Sequence, residues 1–402
     1  MTQAFSRPLN LRLIHAVREV APEAWDACAA PEAAEGGRPA NPFLTHRFFL
    51  AMEESGSAVP RAGWAAHHLI AEAEGRLVGI LPVYLKSDSQ GEYVFDHGWA
   101  QAYERAGGSY YPKLVSATPF TPVPGRRLLI APGAPEETAR ALARAGRDLA
   151  TNNGLSSLHV NFCLEAEQKL FEAEGFLPRL DLQYHWRDED YGDYAGFLGA
   201  LASRKRKALK KEREAAQAGL EILRLTGEAL RPEHWDAMWG FYQDTGARKW
   251  GRPYLTREAF RLLAETMAED CLIVLAREAG GGPWLAGALN LIGRETLYGR
   301  YWGALEERPF LHFEICYHQA IEAALEMGLK QVEAGAQGEH KLARGYRPIL
   351  TRSAHWISDP GLRKPVADYL KRERASILEA QAELDAATPF RRMDEGPASG
   401  EA

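Results

Sequence analysis

The chain repeats itself. Gly175–Trp186 reads GFLPRLDLQYHW and Gly345–Trp356 reads GYRPILTRSAHW; glycine, an aromatic ring, proline, leucine, histidine and tryptophan fall in register without a gap. Upstream, GLSSLHV from Gly154 matches GLKQVEA from Gly328, and RLVGILPVY around Gly79 resembles WLAGALNLI around Gly287. Three matches in the same order in both halves argue for duplication, so each half is expected to build the same kind of unit. The 402 residues suffice for two cores.

Within each half, strand and helix signals alternate. NPFLTHRFFLAME reads as a helix with Asn41 or Thr45 as its cap. AAHHLIAEA and GRLVGILPVYLK read as strands paired across Glu74-Gly75. A helix, the short strand SSLHVNF and a second helix ending on Gly175 follow. In the second half, two helices precede the strands CLIVLARE, WLAGALNLIG and TLYGRYWGA. LHFEICYHQAIEAALEMG reads as a helix with Phe313, Tyr317, Ile321 and Leu325 on one face, and QVEAG as another strand. The stretch from Gly79 to Gly154 is much longer than its counterpart from Gly287 to Gly328. The excess, within 88–125, is rich in glycine, proline and aromatics and reads as a long inserted loop. The expected organisation is a first domain over 1–187 carrying that loop, a second over 188–387, and a disordered tail over 388–402.

Charge and composition exclude several classes. A net charge of −6 argues against a general nucleic-acid coat, so any polyanion contact has to be local. The four cysteines lie far apart and read as free thiols in a reducing compartment. No apolar run is long enough to span a membrane, and the charged N-terminus lacks a signal-peptide core; the expectation is a cytoplasmic protein. His312, Glu314 and His318 share a helix but lack zinc-protease spacing and a third ligand, so no metal is expected.

GAQGEHKLARGYRP, Gly335–Pro348, concentrates ionisable groups and glycines directly after an apolar run. Glu339 or His340 suits a base that deprotonates an amine, and Lys341 or Arg344 suits a carboxylate or phosphate; Gln337 belongs to the same substrate-lining stretch. The bland alternative is a strand exit with a solvated charge cluster. The first half has an ordinary amphipathic helix at the corresponding place, which points to the second half as the bearer of the active site. In the inserted segment, Asp96, His97, Trp99, Tyr111 and Phe120 have the composition of a substrate pocket, aromatic walls with a few polar groups. Neighbours such as Asp96 and His97 need not act together. Arg248 and Trp250 are further lining candidates. Arg204, Lys205, Arg206, Lys207, Lys210 and Lys211 follow one another on a helix with no acid among them and read as a polyanion-binding face or as a solvated surface.

The order of elements, with a helix running into Gly-Phe or Gly-Tyr before the last strands, looks like the GNAT acyltransferase fold. NPFLTHRFF, FDHGWA, GGSYYPKLVSATPFTPVPG, SRKRKALKKERE, TGARKWGRPYLT, GRYWGA, HFEICYHQAIE and GAQGEHKLARGYRP together resemble the FemAB-like N-acyltransferase family, the peptidoglycan biosynthesis/recognition family, over roughly Arg12 to Trp356. The resemblance implies an α/β (α+β) chain of two tandem GNAT-like domains, each a mixed twisted sheet flanked by helices. It implies an acyl-CoA donor, acetyl-CoA or longer, and a small-molecule or peptide amine acceptor held between the domains. In such a fold TLYGRYWGA would splay open for the donor. Its alternation puts Tyr298, Arg300 and Trp302 on one face and Tyr301 and Gly303 on the other. Tyr301 would protonate the leaving group, Arg300 would contact substrate, and Trp302, Gly303, Ala304, Leu311 and His312 would hold the cofactor. The chain departs from the usual acyl-CoA loop: Leu305 stands where a second small residue is expected. That departure and the basic helix keep open a Fem-type transferase that uses aminoacyl-tRNA. A non-catalytic binder of a cell-wall precursor or amine metabolite is the third reading. No serine or cysteine sits in a nucleophile motif, so direct attack is expected.

Overall fold

The computed structural model describes residues 8–34, 36–250, 253–335 and 338–391, without the side chains of 246–250 and 339. The backbone forms two compact units. The first comprises Met1–Leu182, Arg252–Ala268 and Leu350–Leu378; the second comprises Gln183–Gly251, Glu269–Ile349 and Glu379–Ala402. The units are therefore not the two consecutive stretches that the repeat suggested.

In the second unit, alternating apolar strands form an antiparallel meander: Leu220–Thr226, Cys271–Glu278, Trp284–Ile292 and Thr296–Ala304. Gln331–Glu333 then pairs in parallel with the last of these, through Thr296↔Gln331, Leu297↔Val332 and Tyr298↔Glu333 only. Gly299–Ala304 runs on without that partner, which is the splay expected of this strand. The far side of Gln331–Glu333 pairs antiparallel with His185–Arg187. Those residues end the strand Leu177–Arg187, which begins in the first unit.

The first unit repeats the arrangement. Lys113–Ser116 pairs in parallel with Ser157–Cys163, and Ser157–Cys163 pairs antiparallel with the end of Arg347–Ile357, a strand that begins in the second unit. Each half of the duplication thus gives its last strand to the other unit. The strand Lys113–Ser116 and the helix His97–Arg105 lie inside the segment read as a loop from sequence. That expectation needs correction: the parallel counterpart of Thr296–Ala304 is folded within the glycine- and proline-rich stretch, whose composition hid a short, wholly buried strand. Tyr84–Lys86 and then Trp64–Ala66 extend the sheet beyond Lys113–Ser116, and Asn10–Ile14, His68–Ala73, Arg76–Leu81 and Leu129–Ile130 form a separate four-stranded antiparallel sheet.

The helix of the NPFLTHRFFLAME segment runs over His46–Glu54. Asn41 accepts the Phe43 amide at 3.1 Å and caps a short turn before it, while the Thr45 side chain bonds back to the Pro42 carbonyl. The helix read in one piece after Thr296–Ala304 is Leu311–Phe313, a wide π-helical turn over Glu314–His318, and Gln319–Glu326. Such turns recur at functional sites. Each unit has its own apolar core, with Trp186, Phe197 and Tyr346 in the second, and Leu114, Leu158 and Phe171 in the first. The C-terminal helix Pro360–Ala386 packs Leu362, Val366 and Leu370 against Trp99 and Ile357 of the first unit. No described helix is long and apolar enough to cross a membrane.

Candidate active site

The second unit gathers its titratable side chains where the parallel strands part. Arg300 is the extra residue of an irregularity in Thr296–Ala304, between the pairs Asn290↔Gly299 and Leu289↔Tyr301, which breaks the alternation expected along this strand; its Nη2 donates to Glu333 Oε2 at 3.0 Å. Both side chains are almost wholly buried. Burial pushes Glu333 up to about 7, and the Arg300 guanidinium offsets only part of that rise. His185 lies opposite Glu333 in the ladder with 3.8 Å between Nδ1 and Oε1; burial, with Arg300 nearby, holds its ring neutral, well below the ordinary histidine range.

Lys341 lies in the tight helical turn Glu339–Arg344, 1% exposed. Its Nζ donates to the Gly335 carbonyl at 2.9 Å and makes no ion pair among the described residues. Burial first, and then the positive Arg300, lower it from 10.5 to about 7. A lysine at that value is a base at neutral pH, which a solvated lysine is not.

Around this pair the helix Ser203–Gln217 and the π-turn interlock. Arg344 donates to Glu212 at 2.8 and 2.6 Å, stacks over Phe313 at 3.4 Å, and is thereby neutralised internally rather than free for a carboxylate or phosphate. Burial works against the charge on Glu212, yet the bonds from His318 and Arg344 hold it below its ordinary value. Glu314 accepts from Arg213, Gln217 and Gln319, and Tyr194 meets His318 at 2.6 Å, so neither Glu314 nor His318 is a vacant ligand.

The remaining sequence candidates fall into several groups. His340 is exposed and meets the Tyr317 hydroxyl at 2.9 Å. Gly338, at φ 115°, passes so close beneath that ring that any side chain there would collide with it. Gln337 and the side chains of Glu339, Arg248 and Trp250 lie outside the described residues. Tyr301 faces the helix Pro232–Trp250, its ring 5.1 Å from Tyr242. The smallness of Gly303 is accounted for by packing: a Cβ there would collide with the Phe241 carbonyl. Ala304 and Leu311 belong to the core, and Trp302 meets His312 at 4.8 Å. Arg204, Lys205, Lys207, Lys210 and Lys211 are exposed and, with the half-buried Arg206, make no ion pair among the described residues.

In the first unit, Asp96 and Tyr111 come together around Lys113, a polar residue of the same inserted segment, while Trp99 packs against His159 and His355. The Lys113 Nζ reaches Ser89 at 2.8 Å, Glu92 at 2.9 Å and Asp96 at 2.5 Å. His97 points to solvent instead, and Phe120 stacks on Tyr254 at 5.4 Å and packs on Trp64. Sequence reading passed over Glu333 and His185. The repeat carried a signal for them, because its register places His159 on Glu333 and His355 on His185.

The antiparallel meander, the splayed parallel strand and the duplication define a protein of two tandem GNAT-like units. The chain belongs to the FemAB-like family, described as peptidoglycan biosynthesis/recognition, whose model matches residues 16–392. Among solved structures it resembles FemX at 13% identity, over 89% of this chain and 100% of that one, with a TM-score of 0.53. A tandem GNAT protein from the clavulanic acid biosynthesis pathway matches at 15% identity, 88% and 99% coverage and a TM-score of 0.45. L-PGS from Bacillus licheniformis matches at 10%, 89% and 99%, with a TM-score of 0.48. No curated protein matches the sequence.

Proposed function

We propose that the protein is an acyltransferase that moves an acyl group from an activated donor to an amine, with Lys341 as the base. The observation that carries this reading is Lys341 itself: buried, beside Arg300, without an acidic partner among the described residues, in the loop that follows the splayed strand. An attacking amine must be neutral and must lose a proton as the new bond forms. Its nitrogen attacks the donor carbonyl, the carbon–sulfur bond of a thioester breaks, Lys341 takes the amine proton, and the departing thiolate receives it. No covalent enzyme intermediate is needed. Glu333 keeps Arg300 in place, and Arg300 helps keep Lys341 neutral.

The donor we favour is an acyl-CoA thioester, which is made in the cytoplasm. The family's cell-wall description makes a peptide or precursor amine a fitting acceptor. A second reading, an aminoacyl-tRNA ester as donor, is favoured by the cations of Arg204–Lys211, which make no ion pair among the described residues. Titration with acetyl-CoA, longer acyl-CoAs and aminoacyl-tRNA, followed by turnover with primary amines, separates the two. A thermal shift and thiol release with acyl-CoA support the first. Binding and amine-dependent deacylation of aminoacyl-tRNA that vanish when Lys205, Lys207, Lys210 and Lys211 become Glu support the second. Neither activity from folded protein rejects the proposal.

A further inference from the structure

A cavity of about 550 Å³ opens in the first unit. It lies where the end of the helix His46–Glu54, the turn Pro60–Ala62 and the strand Trp64–Ala66 meet the chain that leaves Asn10–Ile14. Ala58, Val59 and Pro60 give it an apolar wall, and Arg18, Arg61, Glu53 and Glu54 line it with two groups of each charge. A volume of this size suits a small ligand held by a few polar groups.

Most of the lining is already committed. Glu53 accepts from the Val17 amide at 2.8 Å, from His68 Nε2 at 2.8 Å and from the Tyr84 hydroxyl at 3.1 Å, so both its oxygens are engaged inside the unit. His68 Nδ1 accepts from the Val83 amide, which places that ring's proton on Nε2, toward Glu53. Arg18 donates to Glu54 Oε1 at 2.7 Å. Glu54 Oε2, the Arg61 guanidinium and His15 Nε2 make no hydrogen bond or ion pair among the described residues. His15 Nδ1 lies 3.3 Å from the Ala66 carbonyl, which can only accept; the neutral ring therefore carries its proton there and offers Nε2 as an acceptor. The Arg61 guanidinium rests over bare backbone. Gly56 lies in the left-handed region at φ 75°, and a Cβ there would come within 2.7 Å of Arg61 Nη2.

These three uncommitted groups set the chemistry of an occupant. Arg61 calls for a carboxylate. Glu54 Oε2 and His15 Nε2 call for N–H donors, and the charge on Glu54 favours a positive one. The lining is itself balanced, two arginines against two carboxylates, so a fitting ligand carries one charge of each sign and no net charge. We infer that the first unit binds an α-amino acid with an aliphatic side chain in this cavity. Its carboxylate pairs with Arg61, its ammonium donates to Glu54 Oε2 and His15 Nε2, and its side chain lies on Ala58, Val59 and Pro60. The inference does not depend on the transferase reading.

The test is a thermal titration of the full chain at neutral pH with L-alanine, L-valine and L-leucine. L-leucinamide and 4-methylpentanoate serve as controls; both keep the leucine side chain, and they lack the carboxylate and the ammonium respectively. At about 10-fold over its dissociation constant a bound amino acid is expected to raise the melting temperature by about 2 °C, and the two controls at the same concentration by less than half of that. The rise is expected to vanish in Arg61→Gln, to shrink in Glu54→Gln and to persist in Lys341→Met. Arg61 and Glu54 are exposed, so both variants are expected to fold. No shift from any of the three amino acids, an equal shift from either control, or a shift kept in Arg61→Gln overturns the inference. A shift kept there and lost in Lys341→Met would place the amino acid at the Lys341 site instead.

Discussion

Replacing Lys341 with methionine is expected to stabilise the protein while abolishing its chemistry. The unfolded lysine keeps its proton up to about 10.5, the native one only to about 7. Between those values the unfolded chain binds the extra proton, so stability rises with pH. The two values correspond to a penalty of about 4 kcal/mol at pH 7, falling to about 1 kcal/mol at pH 10. Methionine has similar length and no charge to desolvate, and it removes the penalty at the loss of one hydrogen bond to Gly335, about 1 kcal/mol. Denaturant unfolding should therefore show Lys341→Met more stable than the parent by about 3 kcal/mol at pH 7 and equal to it near pH 10. Acyl transfer should fall at least 100-fold at both pH values, the usual size of a lost proton-transfer step being about 10²–10⁴. A variant that is destabilised at pH 7, or whose difference from the parent does not change with pH, would refute the assignment of a neutral buried lysine.

Other perturbations probe the frame around it. Glu212→Ala leaves Arg344 buried without its carboxylate and should cost about 3–5 kcal/mol in denaturant unfolding. Gly303→Ala pushes a methyl into the Phe241 carbonyl and should cost about 1–3 kcal/mol by strain, whether or not a donor is present. Changing Lys205, Lys207, Lys210 and Lys211 to Glu touches exposed, unpaired side chains, so melting should shift little, each site counting within about 0.5 kcal/mol; any loss of tRNA binding would then be a surface effect.

The repeat made the tandem architecture legible because glycine before an aromatic, and histidine beside tryptophan, recur at one spacing in a strand that must be buried on both faces. It could not reveal that each copy of that strand ends in the opposite unit. Swapped and unswapped partners satisfy the same alternation, and the observed ladders, with pairs such as Glu333↔His185 and His159↔His355, distinguish them. Helices with clear periodicity, such as Arg257–Met267 with Thr256 as its cap, lay close to where spacing put them. Lys113–Ser116 did not, because a four-residue strand flanked by glycine and proline carries too little pattern to outweigh its turn signals. For the candidate site, charge density singled out the Gly335–Pro348 segment but not the partners its side chains take. Arg344 looked free and is held by Glu212, a residue far away in sequence. The sequence suggests Lys341 as a group for a carboxylate or phosphate; burial, with Arg300 beside it, lowers it to about 7 instead, and neither the burial nor that neighbour is visible in the sequence.

The most direct measurement is the pH dependence of kcat/KM for amine acylation, with acyl-CoA and aminoacyl-tRNA as donors, in the parent, Lys341→Met and Glu333→Gln. The account predicts a limb in the parent with an inflection near pH 7 that disappears in Lys341→Met. Glu333→Gln should move that limb while keeping turnover, since Glu333 acts through Arg300. A parent profile that Lys341→Met leaves unchanged, or folded enzyme inert toward both donors, would contradict it.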